Sequence, residues 1–374
     1  MRIFHEGDFP VRPFLSSHLL TGSRTSLVIG PRGTGKTTLL IHGCKALPRS
    51  LYISADHPLV ANISLWELGD LAFRSGYEGI AIDEIHHSAD WPQHLKALYD
   101  SYPQKRIWAS DSSSLQLRSA IADLSRRYPL VKMPLLSFRE YLFMKEGLSL
   151  DPFNPLKEPE KAEEVVRQVN VLAHFKEYQK NGMRPIFIEG KYHERLLNII
   201  EKTIFTDIPL LLPRVQDNYL RLMKSILGHL VTSSIPTLNI DNLCTKWSIG
   251  KDKLYELMNS LEHVRLLNIV RKENDNKTLS KGEKILLHDS SMYSALGGNI
   301  GNSREAYIVS MSLEAGMDIF ASSNEQHADF ILEGIPIEVG GKNKKPKSAQ
   351  YVVRDDIDRP TGKAIPLWCF GFYY

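Results

Sequence analysis

The chain has 374 residues, 43% of them hydrophobic, which suits a protein of two or three domains at about 150 residues each. Its net charge of +3 is too weak to imply a nucleic-acid partner by itself, and no apolar run approaches the ~18 residues that span a bilayer. The opening MRIFHEGDFP lacks the apolar segment of a secretory leader. Cys44, Cys244 and Cys369 lie far apart with no CxxC spacing, so a cytoplasmic protein with reduced, packed cysteines is expected.

In chain order, Leu27-Val28-Ile29 reads as a buried strand that ends at Gly30, and Lys36 to Ala46 as a helix. Leu51-Tyr52-Ile53 and Ile80-Ala81-Ile82 are the next strand candidates, with helical spacing at Leu65, Leu68 and Leu71 between them. Leu95, Leu98, Tyr99 and Tyr102 trace one helix face, followed by strands at Ile107-Trp108-Ala109 and Leu130 to Met133. This alternation predicts a doubly wound α/β domain with ligands at the carboxyl ends of its strands. After Pro134 comes a helix in LSFREYL, a proline-rich break, and long helical patterns to about Val231. A short helix, a turn and a longer helix follow from Pro236. From about Leu286 a helix precedes short strands and the apolar IPLWCFGFYY. Boundaries near 135, 232 and 285 give domains of 1–135, 136–231, 232–285 and 286–374.

GPRGTGKT at 30–37 is a complete G-x-x-x-x-G-K-[ST] loop between a strand and a helix. Gly30, Gly33 and Gly35 permit the backbone conformations that aim successive N–H groups at phosphate oxygens. Lys36 would reach the β- and γ-phosphates, and Thr37 would offer its hydroxyl to Mg²⁺ at the start of a helix. Arg32, Thr34 and Thr38 complete the expected contacts to ATP. Asp83, ending the apolar run Ile80 to Ile82, is the matching Mg²⁺ ligand, and Glu84 the residue that polarises water. Ser110, in the SDSS run that ends the following strand, is a candidate γ-phosphate sensor, although serine and aspartate there also suit a turn. His86 and His87 are given no metal role.

GPRGTGKTT, IAIDEIHH, IWASDSSSLQL and LSRRY…MPLLSFREYL together resemble bacterial and archaeal AAA+-like ATPases. The resemblance implies a P-loop core, a helical lid, a winged helix and a small α+β nuclease-like C-terminal domain. It also implies an oligomer, a ring being one form, in which a neighbour's arginine completes the site. Arg127, with Arg126 beside it, matches that arginine; a plain surface pair is the alternative, and Arg139 a lesser candidate.

Pro236 to Lys272 resembles a winged helix, with Leu254, Leu257, Met258 and Leu261 as the core stripe of its second helix. Lys251, Lys253, Tyr255 and Asn259 then face out, suited to DNA or to solvent and a protein partner. The C-terminal part resembles the PD-(D/E)xK nuclease-like fold through Glu305, Asp329 and Glu338. The lysine expected two residues after Glu338 is replaced by Gly340, and the nearest is Lys342, so a retired nuclease used for binding is the simpler expectation. Lys344 and Lys345 extend the basic loop as candidate contacts to a nucleic-acid backbone.

The leading expectation is a Mg²⁺-dependent AAA+-type ATPase that couples hydrolysis to DNA binding, remodelling or translocation. The alternatives are a nucleotide-gated nuclease effector and a signalling switch that binds proteins through its winged helix.

Overall fold

Strand parity sets the architecture of the N-terminal sheet region. Leu27, Ile80, Ile82, Ile107 and Ala109 are buried with Leu65, Phe73, Leu95 and Leu98 in one cluster, while Val28, Ala81 and Trp108 pack with Leu39, Leu40 and Met133 in another. Neighbouring residues along one strand therefore enter opposite cores, as they must in a sheet covered on both faces. The computed structural model describes residues 12, 22–60, 62–112, 124, 126–212, 215–233, 240–273, 283–324, 326–345 and 347–374. The chain divides into two units: the described residues up to Pro134 with a short stretch from Pro209, and the described remainder from Leu135 onward.

In the first unit, β1 (Thr25–Ile29), α1 (Lys36–Ala46), β2 (Ser50–Ser54), α2 (Leu65–Arg74), β3 (Gly79–Asp83), α3 (Trp91–Ser101), β4 (Arg106–Asp111) and β5 (Leu130–Lys132) alternate as expected. All five strands are parallel, in the order β2-β3-β4-β1-β5. Helix α1 covers the Trp108 face; a Cβ on Gly43 would lie 3.0 Å from the indole, so the glycine permits close approach. Helices α2 and α3 cover the other face. A capping box starts α2: Ser64 Oγ accepts from Glu67 N and Glu67 Oε2 accepts from Ser64 N, each at 3.1 Å.

The second unit begins with α4 (Phe138–Glu146), opened by the same device at Ser137 and Glu140. Then come α5 (Ala162–Gln168), α6 (Val171–Asn181), α7 (Tyr192–Lys202) and α8 (Asp217–Thr232). Phe138 anchors an aromatic core, its ring 5.2 Å from Phe175, 5.3 Å from Tyr178 and 6.3 Å from Trp368. Helices α9 (Ile240–Trp247) and α10 (Lys251–His263) precede an antiparallel ribbon of β6 (Leu267–Val270) and β7 (Lys284–Leu287). Strand β7 crosses the expected boundary at 285.

After α11 (Ser291–Ala295) and α12 (Ile300–Glu314), strands β8 (Ile319–Ala321), β9 (Phe330–Leu332), β10 (Ile335–Gly340), β11 (Tyr351–Arg354) and β12 (Ala364–Pro366) form a mixed sheet in the order β12-β11-β10-β9-β8. Apart from the short stretch from Pro209, the described residues of the stretches expected as lid, winged helix and C-terminal domain lie in this unit. Among the described residues, no helix is long and apolar enough to cross a membrane.

One buried ion pair ties distant parts of the second unit. Arg184 Nε donates to Asp289 Oδ2 at 2.7 Å, with Arg184 1% and Asp289 0% exposed. Asp289 Oδ1 also accepts from Ser291 N at 2.9 Å. Truncating one partner strands a charge in the interior, whereas replacing both with apolar groups does not. Asp289→Ala is expected to cost about 3–5 kcal/mol. The double variant Arg184→Met/Asp289→Leu should recover most of that loss in urea unfolding of the second unit.

Candidate functional site

Chain geometry, rather than glycine content alone, makes the loop after β1. A Cβ on Gly30 would lie 2.2 Å from the Met133 carbonyl oxygen, so no side chain fits. Gly33 and Gly35 have φ of 76° and 97°, in the left-handed region. Gly35 is the N-cap of α1, and no side chain caps that helix, so its first amides remain available to an anion. Thr34 Oγ1 donates to the Pro31 carbonyl at 2.8 Å and stiffens the turn, and Thr38 lies half-buried in the first turn of α1. Lys36 Nζ donates to the carbonyls of Gly30 and Pro31, both at 2.9 Å. Burial lowers the Lys36 pKa, with Glu84 and Asp83 acting against that shift. The ammonium is thus held beside the loop that would cradle the phosphates.

Asp83 closes β3 on the α1 side of the sheet, two residues beyond Ala81. It is 2% exposed, and donors converge on it. Thr37 Oγ1 and Tyr52 OH donate to Oδ2 at 2.6 and 2.8 Å, while Ser110 Oγ and the Glu84 amide donate to Oδ1. Burial, then the Asp83 charge, push the Tyr52 hydroxyl well above its ordinary pKa, so it remains a donor. Tyr52 was not singled out as a site residue. It reaches Asp83 because β2 and β3 are adjacent, with Ser54 opposite Asp83.

Glu84 follows in the left-handed region at φ 52°, which swings its side chain across the loop. Arg32 Nη1 donates to Oε1 at 3.1 Å and Ser112 Oγ to Oε2 at 2.9 Å. Burial acts to raise the Glu84 pKa, but the Lys36 and Arg32 charges outweigh it and hold the carboxyl below its ordinary value. The Glu84 carboxylate is therefore charged and engaged from both sides. Of the SDSS run, Ser110 serves Asp83 and Ser112 serves Glu84. His86 Nδ1 lies 3.0 Å from Asp111 Oδ1 and 3.5 Å from Glu84 Oε2. Burial, then His86, lower the His87 pKa.

The candidate arginines occupy different settings. Arg127 makes a paired contact with Asp100 in its own chain, Nε at 3.0 Å and Nη2 at 3.2 Å, whereas Arg126 is exposed. Arg139 donates to the carbonyls of Tyr374 and Leu150 at 2.9 and 3.0 Å.

The C-terminal sheet gathers Glu305, Asp329 and Glu338 with three lysines. Lys284 Nζ lies 2.8 Å from Glu305 and 3.7 Å from Asp329; Lys344 lies 3.0 Å from Asp329 and 2.7 Å from Glu338; Lys347 lies 3.0 Å from Glu338. Lys342, the lysine nearest to Glu338 in sequence, is exposed. Lys344, expected as an outward DNA contact, takes the inward place. A Cβ on Gly340 would lie 2.7 Å from Cβ and Cγ of Lys344, so the glycine leaves the volume that this lysine fills. Lys345 is exposed.

On α10 the expected apolar stripe is buried, and Tyr255 and Asn259 are partly exposed. Lys251 pairs with Asp241 at 2.5 Å, and Lys253 pairs with Glu256 at 2.9 Å over the Tyr219 ring. Both charges expected to face DNA are already shared within the chain.

The five-stranded parallel sheet and its glycine loop define an α/β P-loop unit. Residues 22–142 match the family model of an AAA domain, so this part of the chain is an AAA-type P-loop ATPase-like domain. Similar solved structures include a Walker-type ATPase of Pyrococcus abyssi, at 17% identity over 77% of this chain and 96% of that one, with a TM-score of 0.43. A RuvB of Thermotoga maritima is similar at 16% identity over 79% and 96%, with a TM-score of 0.37. AMPPCP-bound DnaA from Aquifex aeolicus is similar at 14% identity over 69% and 89%, with a TM-score of 0.29. No curated protein matches the chain.

The Tyr52 contact has a measurable consequence. Groups that orient a metal-binding carboxylate are worth about 10–100-fold in metal affinity. Tyr52→Phe should raise the Mg²⁺ concentration needed for half-maximal ATP turnover by about tenfold, with little change in metal-free nucleotide binding.

Proposed function

We propose that the chain is a Mg²⁺-dependent ATP hydrolase of the AAA type that works on DNA as a cytoplasmic homo-oligomer. The observation that carries the hydrolase reading is the contact of Thr37 with Asp83 at 2.6 Å, beside a charged Glu84. Thr37 and Asp83 are the residues that would hold Mg²⁺, directly or through water. The uncapped start of α1 and Lys36 would bind the phosphates. Bound Mg²⁺ supplies positive charge that stabilises the transferring phosphoryl group. Glu84 then accepts a proton from, or orients, the attacking water once Arg32 releases it.

The DNA and oligomer parts rest on less. The α9–α10 pair and the β6–β7 ribbon support a winged-helix reading, and exposed Lys342 and Lys345 support backbone contacts. The ion pairs of Lys251 and Lys253 favour a second reading, in which this region binds a protein partner. Arg126, or Arg127 once released from Asp100, is the residue that a neighbouring site would use. For the C-terminal sheet we infer a retired PD-(D/E)xK-like module. Its three carboxylates face three ammonium groups, so the cluster lacks the excess negative charge that recruits a divalent cation.

Lys36→Ala should abolish ATP binding, and Glu84→Gln should bind ATP with turnover slowed by about 10²-fold or more. Normal hydrolysis in either variant would refute the assigned roles. DNA is expected to stimulate ATPase activity in low salt without Mg²⁺- or Mn²⁺-dependent cleavage. Absence of both stimulation and a gel shift would remove the DNA reading, and bands lost in Asp329→Ala would restore nuclease activity.

A further inference from the structure

We propose that Glu84, His86 and His87 form a binding site for a borderline transition cation of the Zn²⁺ type, and that its occupancy inhibits hydrolysis. Glu84, in the left-handed region, is the N-cap of the single 3₁₀ turn Ile85–His87, and this sharp change of direction brings its carboxylate beside His86 and His87. One ligand atom from each of the three residues lies within 4.8 Å of the other two. The imidazole centroids of His86 and His87 are 4.3 Å apart.

Two further observations favour a metal over simple packing. Asp111 Oδ1 lies 3.0 Å from His86 Nδ1, where a carboxylate can orient an imidazole and raise its basicity as a ligand. Nε2 of His87 is buried and has no hydrogen-bond partner among the described residues. Two imidazoles with one carboxylate suit Zn²⁺ or Co²⁺, whereas Mg²⁺ prefers an oxygen shell with several waters. Three protein ligands leave a fourth position for water. This site is distinct in composition from Thr37 and Asp83, but it takes the carboxylate that polarises water. A bound cation would hold Glu84 away from that task, as Arg32 does in the structure.

The inhibitory part rests on the hydrolase reading; the metal-binding part does not. The test therefore begins with the nucleotide-free full chain and Co²⁺ as a spectroscopic probe. A visible ligand-field band should grow to one Co²⁺ per chain and disappear when Zn²⁺ is added. His87→Ala, or His87→Gln if the alanine variant loses its native circular dichroism, should weaken Co²⁺ binding at least tenfold. Equal Co²⁺ affinity in wild type and a folded His87 variant would overturn the site, whether or not the chain hydrolyses ATP. In the second arm, micromolar Zn²⁺ with excess Mg²⁺ should lower wild-type turnover, with at least tenfold less potency against the His87 variant, each relative to its own zinc-free rate. Equal potency would overturn the inhibitory role.

Discussion

A carboxylate buried at the end of β3 organises the nucleotide site. Asp83 is almost fully removed from water, and an ionised group in that position is tolerable only when its oxygens are amply hydrogen-bonded. Thr37 from the loop helix, Tyr52 from β2, Ser110 from β4 and the next backbone amide supply those bonds. Each donor comes from a different element, so the charge fixes the helix start and three neighbouring strands relative to one another. A cation entering here meets a carboxylate whose orientation is already set, and it competes with hydroxyls rather than with bulk water.

The legible parts of the site were local in sequence. The eight-residue loop, the strand before it and Asp83-Glu84 each carry their pattern within a short window. The five strands followed from apolar runs between helical spacings. Tyr52 was hidden because its role depends on β2 lying beside β3, a pairing made by a crossover and not by sequence proximity. Ser110 and Ser112 lie two residues apart but act separately: Ser110, still in β4, donates to Asp83, whereas Ser112, just past the strand's end, donates to Glu84. The C-terminal cluster was half legible. Its three acids were named, but the lysines reaching them come from β7 and from beyond a glycine pair, and Lys344 could be told from Lys342 only by the path of that turn.

The two ionic centres solve burial differently. Asp83 is satisfied mainly by neutral donors, which preserves its net charge. Glu305, Asp329 and Glu338 sit among full ammonium charges, which cancels theirs. Burial pushes the Glu305 pKa up against the opposing pull of Lys284, whereas the Lys284 and Lys344 charges and the Val339 amide outweigh burial at Asp329 and bring its pKa down. The contrast supports the proposal that the first centre is the one that recruits a cation. The second resembles an internal cross-link that holds the loop after β10 against the sheet.

The left-handed backbone at Glu84 has a consequence for evolution and engineering. A non-glycine residue at φ 52° carries a conformational cost of about 1 kcal/mol, and Asn or Gly would bear it more easily. Either would relax the turn, but each would also remove the carboxylate to which Arg32 and Ser112 donate at 3.1 and 2.9 Å. Losing one charged partner of a largely buried pair costs more than the strain regained, so at position 84 fold stability and the proposed role in turnover favour the same carboxylate.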